Sequence, residues 1–330
     1  MGFKEIVKRF LGYRGTIATA TVVKEGEEER RLSGYRFYLD YLIKDRVAAV
    51  ALAIITLFTA WSIVEGILQY VGFATRHRAL GWALLPSNPI ALNFAESLKP
   101  PSLSHFPAYI FGTNFSGESI LSRLLYAAPK DALAAYLVVF SGIIIGMLVG
   151  TFAGYFGGWA DEVLMRVTDA FLALPGLVLA IALSVLLGAG YNSVLISLIL
   201  IWWPTYARFF RAQALSLKSR GFVEASKLSG QNSLMIILRH IFPNSVDPVI
   251  AYAALDFGNV ILTYSTLAFL GIGIQPPYPE WGSMSSNGLP YFPQNWWWAI
   301  IPGLVIMTVV VCFTLIGDRM QDLIGGRLTY

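Results

Sequence analysis

Six apolar blocks, each long enough to cross a bilayer as a helix, constrain this chain more than any other feature. They lie near 47–71, 131–152, 163–187, 194–207 with extensions toward Gly188, 247–270 and 296–317. About 20 helical residues at a rise of about 1.5 Å each cover the roughly 30 Å hydrocarbon core. The expectation is therefore an all-α, polytopic membrane protein with six transmembrane helices. A mean hydropathy of +0.60 with only 13% charged residues excludes an ordinary soluble domain. Residues 1–46 read as a polar tail with an acidic run at Glu27-Glu28-Glu29. With no cleavable leader in it, the first span is expected to anchor uncleaved. The helix at 47–71 is followed by an outer loop at 72–130, a five-helix core at 131–317 and a tail at 318–330.

Lysine and arginine set the expected orientation. They crowd the N-terminal tail, the polar loop at 208–243 and the C-terminus, whereas 271–295 contains none. Both termini and that loop are expected on the cytoplasmic side. Trp281 and Trp296-Trp297-Trp298 then fall at the outer interface, where tryptophan is favoured. Within 74–130, the prolines Pro86, Pro89, Pro100, Pro101 and Pro107 indicate irregular chain. The pattern at 119–128 suits a short amphipathic helix on the outer surface or a lead-in to the second span.

Two patterns stand out within the spans. Gly142, Gly146, Gly150 and Gly154 recur every four residues and leave one helix face without side chains, which lets another helix approach closely. Asp256 lies well inside the fifth block, with Asn259 and Thr263 on the same helical face. A carboxylate there costs about 2.5–3.5 kcal/mol on insertion scales, so it faces the transport path, a subunit interface or a polar neighbour rather than lipid. Glu65 reads as snorkelling at the end of the first span, and Asp131 as sitting near a span end where the interface is within reach. Asn244, Ser245 and Asp247 read as caps of the fifth helix, with Pro248 in its first turn. Cys312, the lone cysteine, reads as buried packing.

The loop at 208–243 is polar and basic, carrying Arg208, Arg211, Lys218, Arg220, Lys227 and Arg239, yet it is patterned. Gly221 and Gly230 bracket a short helix with Glu224 in its first turn, where a carboxylate complements the helix N-terminus. Phe222, Val223, Ala225 and Leu228 give that helix a small apolar surface, Ala225 and Ser226 permit close docking, and Gly230 permits the following turn. Pro243 closes the pattern. Such a loop suggests a surface that grips another protein.

Catalytic chemistry finds little footing. His77, His105 and His240 have no metal-ligand spacing with Cys312, so no metal site is expected. No G-x-x-x-x-G-K-[ST] loop is present, so this chain is not expected to bind ATP. His240 reads as structural.

Several stretches resemble one family. They are Phe111-Gly112-Thr113-Asn114, Ser122-Arg123-Leu124-Leu125-Tyr126, the run from Ala153 to Trp159, Glu224-Ala225-Ser226 with Gly230 and Pro243, the run from Phe269 to Pro277, Trp281-Gly282 and Gly317-Asp318. From about 105 to 323 the chain resembles the second permease subunit of dipeptide/oligopeptide-type ABC importers. The resemblance implies the type I importer permease fold and a non-identical sister permease. It also implies two ATPase subunits carrying ATP and Mg²⁺, an extracytoplasmic substrate-binding protein, and coupling through Glu224, Ala225, Ser226, Leu228, Gly230 and Pro243. This chain would be a non-catalytic subunit in the cell membrane, with no cofactor of its own and no nucleic-acid partner. Departures fall at Glu118-Ser119, where the family usually has Arg-Asp, and at Tyr264, where an acidic residue is common. An oligosaccharide cargo is the nearest alternative. An ion-driven secondary transporter would show inverted repeats and several intramembrane ionisable groups, and a membrane enzyme would show convergent acids or ligands.

Overall fold

The computed structural model describes residues 35–104 and 106–327. The tail at 1–34, His105 and 328–330 lie outside the described residues. Two units separate in the chain, Met1–Leu39 and Asp40–Tyr330, and all that follows concerns the second.

After a short helix α1 (Tyr35–Lys44), helix α2 (Arg46–Ala74) begins at a sharp cap. Asp45 there accepts hydrogen bonds from the N–H groups of Val47 and Ala48, which have no partner within the helix. The same carboxylate meets Arg319 at 2.7 Å, fastening the start of α2 to the far end of the last helix. Glu65 does not snorkel from α2. It is fully buried, with Gln69 donating to its Oε1 at 3.1 Å.

Helix α3 (Ile120–Phe156) is a single helix of 37 residues. The stretch at 119–128 is therefore its first turns and not a separate surface helix, because Ile120, Leu124, Ala127 and Ala128 are buried against the bundle. Ser119 caps it, accepting from the N–H of Ser122, and donates to the carbonyl of Ala108. Glu118 forms a buried ion pair with Arg123 at 2.5 Å, and Arg123 also donates to the carbonyl of Pro89 at 2.9 Å. The two family departures at 118–119 thus pin the outer loop onto the helix it precedes.

The third expected span is not straight. Helices α4 (Gly158–Leu172) and α5 (Gly176–Leu186) meet at 87°. Pro175 causes the break: it has no N–H to continue α4, and it disfavours helical geometry in the residue before it. At about 1.5 Å per residue neither half alone covers the hydrocarbon core. Helix α6 (Tyr191–Lys218) follows, then α7 (Gly221–Leu228) and α8 (Ser233–Ile236), which runs through a widened π-type turn at Ile237–Ile241 into α9 (Phe242–Phe269). Asn244 and Ser245 do not cap the fifth span, since α9 already includes them. Their side chains donate back to the carbonyls of His240 and Ile241, at 2.6 and 2.8 Å. The straight parts Ser233–Ser245 and Pro248–Phe269 meet at 60°. Helices α10 (Trp281–Gly288) and α11 (Trp296–Arg327) complete the order. Among the described residues four helices are long and apolar enough to span a membrane, and the count is up to six if each bent pair is one span.

The glycine row decides the centre of the bundle. It faces α6, so closely that side chains would collide with its backbone. A Cβ on Gly146 would stand 2.8 Å from the amide nitrogen of Ala207, and one on Gly154 2.7 Å from the carbonyl of Arg211. On Gly150 it would strike the carbonyl of Ala207 directly. Dispersion over this close contact stands in for a hydrophobic driving force, which lipid does not supply.

At the end of the bundle away from α7, three of the four tryptophans pack into the protein. Trp281 is 2% exposed and donates to the carbonyl of Leu124 at 3.0 Å. Trp297 is buried and donates to the carbonyl of Thr113 at 3.2 Å. Trp298 is buried as well, which leaves Trp296 as the exposed member of the run. Glu280 caps α10, accepting from the N–H groups of Gly282 at 3.0 Å and Ser283 at 2.8 Å. It is fully buried beside Asp131, which is also fully buried and so does not reach an interface. Burial pushes the Glu280 carboxyl up to about 7, against the partly offsetting pull of those two backbone donors.

Candidate coupling loop and transport groove

The loop between α6 and α9 is a small packed unit. On α7, Val223 and Ser226 lie three residues apart and face inward. Val223 is fully buried in an apolar cluster with Ile236, Ile237, Ile241, Tyr155 and Ala214, so the chain's own loop claims it and it adds nothing to an external surface. Ser226 is likewise engaged within the loop. Its hydroxyl donates to Gln231 Oε1 at 2.8 Å and lies 2.9 Å from His240 Nε2. A hydroxyl has one proton to give, so with Gln231 as its acceptor the second contact is donated by the histidine. Ser226 therefore holds the loop's shape through Gln231 and His240.

The opposite face of α7 is open. Glu224 and Ala225 are exposed, Phe222 is half-exposed, and Leu228 is 90% exposed. Leu234, Met235 and Leu238 continue this apolar surface from α8 and the π-type turn, with Arg220, Lys227 and Arg239 also exposed nearby. Gly230 ends the unit at φ +79°, a left-handed conformation that glycine adopts without penalty. Pro243 is exposed in the first turn of α9, where its missing N–H costs no helical bond. Two ion pairs tie this end of α6 to α4: Arg211 to Asp161, with bonds of 2.5 and 2.7 Å, and Arg208 to Asp169 at 2.7 Å.

Deeper in the bundle, α4, α5, α6 and α9 surround a cavity of about 480 Å³. Asp256 and Thr263 line it from α9. Asn259 does not; it sits on the exposed side of the helix and donates to Asp256 Oδ1 at 3.4 Å. Trp202 Nε1 donates to Asp256 Oδ2 at 3.0 Å. Trp202, Thr205, Tyr252 and Thr266 complete the polar part of the wall. Residues on α6 escaped sequence reasoning because their link to Asp256 spans 54 positions; an indole inside an apolar block, needing a partner for its N–H, was the available signal.

A multi-pass helical bundle, with a patterned polar loop at one end and a polar groove within, defines the membrane-embedded component of a transport system. Residues 142–330 match the family model described as binding-protein-dependent transport system inner membrane component, and the chain belongs to that family. Among curated relatives, the dipeptide transport system permease protein DppC of Alkalihalophilus pseudofirmus is 34% identical over 90% of this chain and 91% of its own. DppC of Escherichia coli K12 is 40% identical over 74% of this chain and 82% of its own. The probable D,D-dipeptide transport system permease protein DdpC of the same strain is 37% identical over 74% and 80%.

Proposed function

We propose that this chain is the permease subunit of an ATP-driven importer of di- or oligopeptides, in which α7 receives the conformational stroke of a separate ATPase. The observation that carries the reading is the two-sided character of α7. Val223 and Ser226 lock it to its own loop, while Leu228 and Phe222 stand exposed on the other face. An apolar face on a rigid short helix suits a groove on a partner. Both termini and α7 then face the cytoplasm, where the partner holds ATP and Mg²⁺, and α10 faces the extracytoplasmic binding protein. The groove at Asp256 is half of a path completed by a non-identical sister permease. The names of the relatives favour peptides over oligosaccharides as cargo. Purification of the tagged chain from its native membrane, followed by mass measurement of the intact complex, tests the reading. One copy beside one different permease and two ATPase chains is expected. Two copies with no sister, or a chain purifying without an ATPase, would contradict it.

A further inference from the structure

We infer that Asp256 is a transient binding site for the N-terminal ammonium group of the peptide as it passes through the groove. The inference rests on the reading of that cavity as the transport path. Three observations point to a cationic ligand. First, both oxygens of Asp256 receive neutral donors, Trp202 at 3.0 Å and Asn259 at 3.4 Å, and no cation among the described residues pairs with it. An amide oxygen would serve either donor equally well, so the hydrogen bonds do not account for a carboxylate. A carboxylate has about four acceptor positions; Trp202, Asn259 and the buried Tyr206 hydroxyl engage three of them, which leaves one for an ammonium.

Second, among the described residues Asp256 is the only carboxylate or cation in the wall of this cavity. An isolated buried charge is unfavourable until a partner arrives, which favours a ligand that brings the opposite sign and then leaves. The nearest arginine along α6, Arg208, is already held by Asp169 and does not compete. Third, the remainder of the wall suits a small zwitterion. The hydroxyl oxygens of Thr263 and Thr266, whose protons go to the carbonyls of Asn259 and Leu262, can accept from an ammonium, Thr205 adds a further hydroxyl, and Trp202 and Tyr252 offer aromatic surface that attracts the same group. The cavity's volume of about 480 Å³ falls within the roughly 300–1,000 Å³ of small-molecule sites. The site recognises what every unblocked peptide shares and ignores side chains, as a path for mixed cargo requires.

The test uses the complete importer without nucleotide, with Cys312→Ala and Thr263→Cys in this chain. The rate at which a water-soluble methanethiosulfonate labels position 263 is followed by mass spectrometry of this chain. Millimolar alanyl-alanine should slow labelling about fivefold or more, whereas propionyl-alanine, which has the same shape without the amine, should have almost no effect. Asp256→Asn, close in shape and able to keep the Trp202 bond, should abolish protection by alanyl-alanine. Equal protection by the two compounds, no protection by either, or protection that survives Asp256→Asn would overturn the ammonium site while leaving the path intact. A thiol at position 263 that labels in no state would remove the path itself. The comparison of the two compounds needs no change at Asp256, so it stands even if that variant folds poorly.

Discussion

Ser226 Oγ lies 2.9 Å from His240 Nε2, and this contact closes the loop between α6 and α9 across 14 positions. It joins the inner face of α7 to the π-type turn that leads into α9, the helix carrying Asp256. Ser226→Ala removes this bond and the one to Gln231, each worth about 0.5–1.5 kcal/mol net. Peptide uptake should fall roughly tenfold with insertion unchanged. Uptake at the wild-type rate would show that the loop does not depend on this link.

Gly230 tests conformation separately from contact. A Cβ there meets nothing within 4 Å, so any cost of substitution comes from φ +79°. Asparagine tolerates this region and leucine does not, at roughly 1–2 kcal/mol. Gly230→Asn should retain most uptake and ATPase association, and Gly230→Leu should lose both. Full transport by the leucine variant contradicts the assignment.

The glycine row predicts a graded series. Gly142→Ala meets side-chain rings rather than backbone, Tyr206 at 3.2 Å and Trp202 at 3.6 Å, and a few tenths of an ångström of side-chain movement relieves the contact. Gly150→Ala meets the backbone carbonyl of Ala207, which cannot shift without separating α3 from α6. Thermal midpoints of the purified chain should be near wild type for the first and clearly lower for the second. The loss should exceed the roughly 1 kcal/mol typical of a single substitution. Equal midpoints would mean that the two helices do not rely on this approach.

Glu280 gives the outer end of the bundle a pH dependence. Its carboxyl is raised from 4.5 to about 7, so the folded protein holds a proton that the unfolded chain releases above about 4.5. Between those values the folded state binds more protons, so the stability from the Glu280–Asp131 contact is present at low pH and is lost as pH rises through about 7. The thermal midpoint should drop between pH 6 and pH 8, flanking that value. Glu280→Gln should flatten the drop. An unchanged pH profile in this variant would locate the titration elsewhere.

Much of this architecture is written in local pattern. Hydropathy marks each spanning segment, the glycine spacing marks the face of α3 that meets α6, and Gly221 with Gly230 marks the limits of α7. What pattern does not carry is direction. Hydropathy is blind to a turn of 87°, and Pro175 became decisive only because α4 and α5 pack separately on either side of it. Whether Val223 looks inward or outward depends on Ile236 and Ile241, which join it only after the loop folds back. Asp131 stood near a span end by length alone, yet Glu280 comes from 149 positions away to bury it, and neither residue's local sequence announces the other. The partners of the tryptophans were hidden for a related reason. Enrichment at interfaces describes an average, and here Leu124 and Thr113 supply carbonyls that draw two indoles into the core.

The central claim is that the outer face of α7 is the contact through which an ATPase acts. Single cysteines at Leu228 and Val223, in the assembled importer with Cys312→Ala, test it by cross-linking with a short bifunctional maleimide. Leu228→Cys should give one product whose partner is the ATPase subunit, with a yield that changes between nucleotide-free and ATP-bound states. Val223→Cys, fully buried in the loop's own cluster, should give none. No ATPase product from Leu228→Cys in either state, or an equal yield from Val223→Cys, would contradict the account.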